Sequence, residues 1–418
     1  MDFAPEGVMA GSNRKKNFAI GGALLLTLAA LGAGQLALER SLLAEDEGVE
    51  APTFVVDPFW PKPLPNQWLI GSTIGVTVDS RDHVFVIHRQ ATLNPSTEVS
   101  AASNPKTAVE CCVPAPPVLE FDPEGNLVGH WGGPGQGYDW PSSNHGITID
   151  PMDHIWIGGN GEADSHILKF TQDGKFLKQF GHPAARRDES SSEPRFVGGS
   201  HDKESFGRVA KISFDSRGKE AFVADGYLNK RVAVLDASTG EFKRYWGAYG
   251  NPPDDKDLGR YDPKAPPAPQ FRNPVHCAEP SEDGLLYVCD RAGNRIQVFK
   301  LSGEYVNELI VARETLGSGA VWDIAFSRDP EQRFLYLADG KNEKVYVIDR
   351  EKLVVLTSFG AGGRQPGQFF GVHSIATDSK GNVYTTETYE GKRIQKFVYK
   401  GMARVPKDQG VLWPKASK

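Results

Sequence analysis

Three histidines, His145, His276 and His373, hold the same position in a recurring segment, each five residues ahead of the turn residues Asp150, Ser281 and Asp378. Three neutral imidazole nitrogens brought to one point make a metal site with an open fourth position, which is the arrangement of a catalytic rather than a structural zinc. Copper, iron and nickel accept imidazole too, so donor type alone leaves the metal open among these. An open zinc polarises an oxygen as a Lewis acid or holds a hydroxide at neutral pH. The other histidines of the ten in the chain, such as His83 and His154 in turns, read as ordinary polar residues.

Three further side chains join them. Arg89 ends VFVIHR, Tyr227 lies in ADGYLNKR, and Arg291 lies in CDRAGNR. Each falls where a second strand leaves its repeat, at the rim where the histidine-bearing strands begin. Guanidinium forks grip carboxylates with paired hydrogen bonds. A phenol near a metal and arginines is a candidate base. The substrate expected from this set is a small molecule or peptide end bearing a carboxylate.

The repeats must position these groups. Five segments overlay, beginning at His145, Lys211, His276, Trp322 and His373, and a sixth from Gly75 is split by an insertion over 90–117. Each alternates apolar and polar residues, breaks at a Gly, Asp or Asn turn, and alternates again, as hairpins do. FLKQFG, KRYWG and LTSFG supply fourth strands. Four short strands per unit, repeated radially, predict an all-β, six-bladed β-propeller. The histidines open alternate units, with Ile74, Ala210 and Trp322 at the same position in the others, so they should stand about 120° apart around one channel. The last unit lacks a fourth strand and 53–57 is a strand without a partner. Pairing the two would close the ring and cover both edges.

Domain organisation follows. Residues 1–38 read as a basic stub and an apolar signal peptide or membrane anchor: Arg14, Lys15 and Lys16 precede an apolar run over 18–38, and about 20 residues span a bilayer. Residues 39–51 read as an acidic linker, 52–400 as the propeller and 401–418 as a tail. The protein is therefore expected outside the cytoplasm, periplasmic or extracellular, with membrane contact only through its N-terminal segment. A net charge of −6 without a basic stripe argues against nucleic acid as a partner. Cys277 and Cys289 lie on two arms of one hairpin and read as structural, while the adjacent Cys111 and Cys112 have no assignment.

At these residues the chain resembles the catalytic propeller of the peptidyl-α-hydroxyglycine α-amidating lyases, of the NHL-repeat type. The matching stretches are VDSRDHVFVIHR, HGITID, FVADGYLNKRV, FRNPVHCAEP with CDRAGNRIQVF, and VHSIATD, and the likeness runs over 70–398. The NHL pattern alone is common to many non-enzymatic propellers; the histidine, tyrosine and arginine placements are the specific part. The resemblance implies zinc on His145, His276 and His373, Tyr227 as base, and Arg89 and Arg291 lining the substrate site. The implied reaction splits the N–C(OH) bond of an α-hydroxyglycine into an amide and glyoxylate. It also implies a structural calcium on the carbonyls of Val76 and Ile147. The carboxylate expected with them is Ser374 here, which predicts a weakened or missing calcium site. Gly371 replaces an expected methionine and Leu228 a disulfide cysteine. The insertion and the loops 183–208 and 249–272 are expected to roof the channel. Two other functions fit the same residues: a metal-dependent hydrolase or lactonase using bound hydroxide, and a non-catalytic propeller that binds a partner on its rim.

Overall fold

The computed structural model describes Gln35 and residues 48–183 and 199–414. The expected signal or anchor segment, Gln35 apart, lies outside the described residues. Among those described, no helix is long and apolar enough to cross a membrane.

Six four-stranded antiparallel sheets form the ring, with a short two-stranded parallel sheet, Trp68–Leu69 with Val113–Pro114, beside it. Their first strands are Ser72–Val78, Asn144–Ile149, Val209–Phe214, Val275–Pro280, Asp323–Phe326 and Val372–Thr377, and we number blades 1 to 6 in that order. Each first strand packs against the first strands of the two neighbouring blades, and blade 6 meets blade 1, so the ring is closed. This is the six-bladed propeller that the repeats predict. Middle strands such as Ile155–Gly159 and Leu285–Asp290 are buried nearly throughout because blades cover both of their faces. Fourth strands such as Phe176–Gly181 are partly exposed and keep a polar, charged side. Apolar side chains fill the wedges between blades. Phe54, Tyr336, Phe359 and Phe397, for example, pack in one cluster between blades 5 and 6. Each such side chain contributes roughly 1.5–3 kcal/mol by leaving water.

Blade 6 takes its outermost strand from the N-terminal end. Val49–Asp57 pairs antiparallel with Arg393–Val405, from Val49 opposite Val405 to Asp57 opposite Lys396. The pairing begins three residues inside the expected linker and reaches five residues into the expected tail. Ala51 is buried, and a register shift beside Pro52 absorbs the missing amide donor of that proline on the edge strand.

In five blades the ladder between the first and second strands slips at the histidine position: around Ile74, His145, Ala210, His276 and His373. A bulge re-aims side chains and breaks strict alternation. In blades 2, 4 and 6 the bulged residue is a histidine and the three converge, while neighbours such as Val275 and Cys277 pack between blades. Cys277 sits directly opposite Cys289 and is bonded to it, and Cys111 is bonded to Cys112.

Candidate metal centre

The three bulges of blades 2, 4 and 6 carry His145, His276 and His373 to one point. Their ring centroids are 5.2, 4.9 and 4.9 Å apart, and one nitrogen from each lies within 4.8 Å of the others. All three rings are buried. The blade that follows each of the first two holds its ring: Nδ1 of His145 faces the Ala210 carbonyl at 2.7 Å, and Nδ1 of His276 faces the Trp322 carbonyl. His373 Nδ1 faces Ser374 Oγ at 3.1 Å, and that hydroxyl donates to the Ile74 carbonyl at 3.0 Å. A carbonyl accepts only from N–H, so Nδ1 carries the proton in His145 and His276. Because Ser374 spends its own hydrogen on Ile74, its oxygen must accept from His373. Each Nε2 is thereby left as a lone pair, the tautomer that metal ligation requires.

Whether these residues suit a metal can be judged from their polar atoms. The Tyr227 hydroxyl lies 2.9 Å from His145 Nε2 and 3.1 Å from His276 Nε2. One hydroxyl hydrogen cannot serve both nitrogens, and His373 Nε2 has no hydrogen-bond partner among the described residues. Three buried lone pairs facing one proton fit a cation. Burial first, and then Arg89, Arg291 and the neighbouring rings, hold all three imidazoles well below their ordinary pKa, so protons do not fill that place near neutrality. His145, His276 and His373 therefore fit a divalent metal with imidazole preference, zinc among them.

Tyr227 and Arg291 meet at this centre. Arg291 donates from Nη1 to the Tyr227 hydroxyl at 3.2 Å and from Nε to the Ser318 carbonyl at 3.2 Å. Its guanidinium lies 4.6 Å from the Trp322 ring centroid and 5.5 Å from that of Tyr227. Gly226 makes this approach feasible, since a Cβ there would stand 2.1 Å from the Val275 carbonyl. Arg89 comes from the far side, donating to the Asn144 carbonyl at 2.9 Å and to Asn160 Oδ1 at 2.7 Å. Its charge depresses His145 and His373, and burial lowers its own pKa. His88, beside it, faces away: Gly71 N–H donates to its Nδ1 and its Nε2 meets the Pro116 carbonyl, both at 3.0 Å.

Trp322 is the residue that sequence reasoning passed over. It occupies the histidine position of blade 5, where it packs against His276 and His373 with centroids 6.0 and 5.5 Å away and supports Arg291. Its signal was visible only as the one large aromatic in that column. Tyr389, half exposed, leans on Trp322 at 6.3 Å. Gly371, where the resemblance predicts methionine, has φ +76°, a left-handed conformation that methionine would hold only under strain. The loop 249–272 borders a cavity of about 560 Å³ with Lys230, Asn273 and Ala292. Asn273 in turn donates to the carbonyls of Gly226 and Leu228, on either side of Tyr227.

The calcium expected at Val76 and Ile147 meets a different environment. Both residues and Ser374 do line one small cavity, of about 10 Å³, but Lys211 and Asp323 line it as well. The Ser374 hydroxyl is committed to His373 and Ile74, and an ammonium already faces the channel carboxylate. This donor set does not fit calcium, which takes several anionic or carbonyl oxygens. A second cluster, Asp79, His83 and Glu120, is held by Arg81, whose Nη2 lies 2.7 Å from Asp79 and 3.2 Å from Glu120. A resident guanidinium leaves no cation site there.

The class defined so far is a six-bladed β-propeller with a three-histidine centre, a tyrosine and two arginines at one mouth of its channel. No family model matches the chain. It is 24% identical over 367 residues, 84% of its length, to peptidyl-alpha-hydroxyglycine alpha-amidating lyase 1 of Drosophila melanogaster, and spans 61% of that protein. Among solved structures it is similar to a protein of unknown function from Bacteroides thetaiotaomicron, with 13% identity and a TM-score of 0.49 over 84% of this chain and 77% of that one. It is also similar to an inactive virginiamycin B lyase variant from Staphylococcus aureus with quinupristin, with 14% identity and a TM-score of 0.42 over 84% and 89% of the two chains.

Proposed function

We propose that the protein is a metal-dependent lyase that cleaves the C–N bond of a carbinolamide bearing a carboxylate, releasing an amide and glyoxylate. The observation that carries this reading is the Tyr227 hydroxyl, within 3.2 Å of His145, His276 and Arg291 together. His145, His276 and His373 would hold the metal, which when bound supplies Lewis acidity at an oxygen.

The remaining chemistry belongs to the chain. Arg291 keeps N–H groups beyond the two it spends on Ser318 and Tyr227, and these suit a carboxylate. The Tyr227 oxygen, facing that guanidinium, is the base that takes the carbinol proton. The O–H electron pair becomes the new C=O bond as the C–N bond breaks. Tyr227 then returns the proton to the departing amide nitrogen, so no oxidant or reductant is consumed. Trp322 and the buried rings keep bulk water from the bond that breaks. Export is part of the proposal, supported by the apolar run over 18–38 and by the Cys277–Cys289 bond, which suits an oxidising compartment.

The test uses the whole chain with N-benzoyl-α-hydroxyglycine, measuring glyoxylate and benzamide together with bound metal. One metal per chain, lost in His145→Ala, His276→Ala and His373→Ala, and equal yields of both products are expected. Tyr227→Phe should lower kcat roughly 10²–10⁴-fold. Metal-loaded protein without glyoxylate release sinks the reading. Activity that survives Tyr227→Phe points instead to bound hydroxide, as a hydrolase or lactonase would use.

A further inference from the structure

The channel holds a second cluster of charge, next to the histidines and separate from them. Lys211 Nζ lies 2.7 Å from Glu279 Oε1 and 2.8 Å from Asp323 Oδ1. Ser213 donates to the same Glu279 oxygen at 2.8 Å, and the Ile375 amide donates to Asp323 Oδ2 at 3.1 Å. These groups come from the first strands of blades 3, 4, 5 and 6. Burial opposes charge on Lys211, but the two carboxylates outweigh it and raise its pKa. Burial, aided by Glu279, pushes the Asp323 carboxyl above its ordinary range. The ammonium is thus the only cation these two carboxylates meet among the described residues.

We propose that Lys211 is a built-in cation of the channel, its ammonium taking the place of a second metal ion and tying four blades to one another. Three observations carry this. The carbonyl-bearing residues Val76 and Ile147 share one small cavity with Lys211 and Asp323, and that cavity has room for about one water at most. The carboxylate that would complete a calcium site is the hydroxyl of Ser374, spent on His373 and Ile74. The negative charge in the channel stands instead on blades 4 and 5, on the two groups that Lys211 bridges. A tethered ammonium cannot dissociate, so the ring is pinned whatever the calcium concentration. This conclusion does not depend on the proposed lyase activity.

The experiment is a calcium titration of the full chain by calorimetry and thermal melting, on the wild type and on Lys211→Ala and Lys211→Met. Imidazoles compete poorly for calcium, so the histidine centre does not confuse the readout. Wild type should take up no calcium, and its Tm should stay put up to millimolar calcium. Both variants should melt at least roughly 6–10 °C lower, the scale for one buried carboxylate without its counter-charge, since Lys211 serves two. Lys211→Ala, with an emptied channel and two free carboxylates, should bind one calcium and recover most of its Tm. Should Lys211→Ala not fold, the triple variant Lys211→Met, Glu279→Gln, Asp323→Asn removes all three charges. It should melt above Lys211→Met and ignore calcium. Calcium uptake by the wild type with a rise in Tm overturns the proposal. So does a Lys211→Met protein as stable as wild type.

Discussion

Arg231 offers the sharpest test of how the Tyr227 loop is held. It is fully buried, with Nε 2.8 Å from Asp225 Oδ2, which is equally buried. Its Nη atoms donate to the carbonyls of Ser200, Asp202 and Ser205. Asp225 in turn accepts from the Gly207 amide at 2.6 Å and from Asn229 at 2.7 Å. The segment fixed this way, 205–208, receives the backbone amides of Tyr227 and Leu228. Replacing Arg231 by Met leaves a carboxylate buried without its counter-charge, which costs about 3–5 kcal/mol. Three carbonyls lose their donor in the same step, so the upper end of that range is expected. At about 2 °C per kcal/mol for a domain of this size, Tm falls by close to 10 °C. Adding Asp225→Asn removes the stranded charge and should recover at least half of the loss. Lys300→Met, which breaks an exposed pair with Glu304, serves as the control and should change stability by less than about 1 kcal/mol. Circular dichroism melts of the four proteins decide the matter. If Arg231→Met stays within about 1 kcal/mol of wild type, or the double variant is no better than the single, then stranded charge is not what this pair prevents.

Two further outcomes are expected. Ser374→Ala removes the hydroxyl that orients His373 and should weaken metal binding roughly 10- to 100-fold in a competition with a chromophoric chelator; unchanged affinity would mean that Ser374 only fills space. His88 gives a pH signature: burial lowers its pKa from 6.5 to about 4, outweighing the carbonyl it faces at Pro116. The unfolded chain binds that proton from about pH 6.5 downward and the folded chain does not, so the stabilisation is whole above pH 6.5 and is lost as pH falls to about 4. Urea unfolding should show wild type losing about 3 kcal/mol more than His88→Gln between those limits, and equal losses would contradict the assignment.

The strands and the histidine column were legible because period-two alternation and turn residues are local signals. Residues a few positions apart, such as His276 and the turn at Ser281, fix one another's register. Inter-blade contacts were not legible. Lys211 follows the histidine position in blade 3, and strict alternation would send it into the blade. The bulge at Ala210 turns it to the axis instead, where its partners stand 68 and 112 positions further along the chain. Trp322 was hidden for the same reason, since its value lies in touching His276, His373 and Arg291 from other blades. The ends of blade 6 were read short because Pro52 and the basic run after Lys400 do not look like strand. Pairing with each other makes them one.

That pairing also sets a clock. Thr53 and Gly401, hydrogen-bonded in blade 6, are 348 positions apart, so the first of the described strands pairs with the last of them. Until Arg393–Val405 has emerged, Val49–Asp57 is an unpaired edge and blade 6 has no outer wall. Contacts of this span form late and slowly. A chain cut off before residue 393 would therefore not be a propeller missing its rim, but an open strip with two sticky edges.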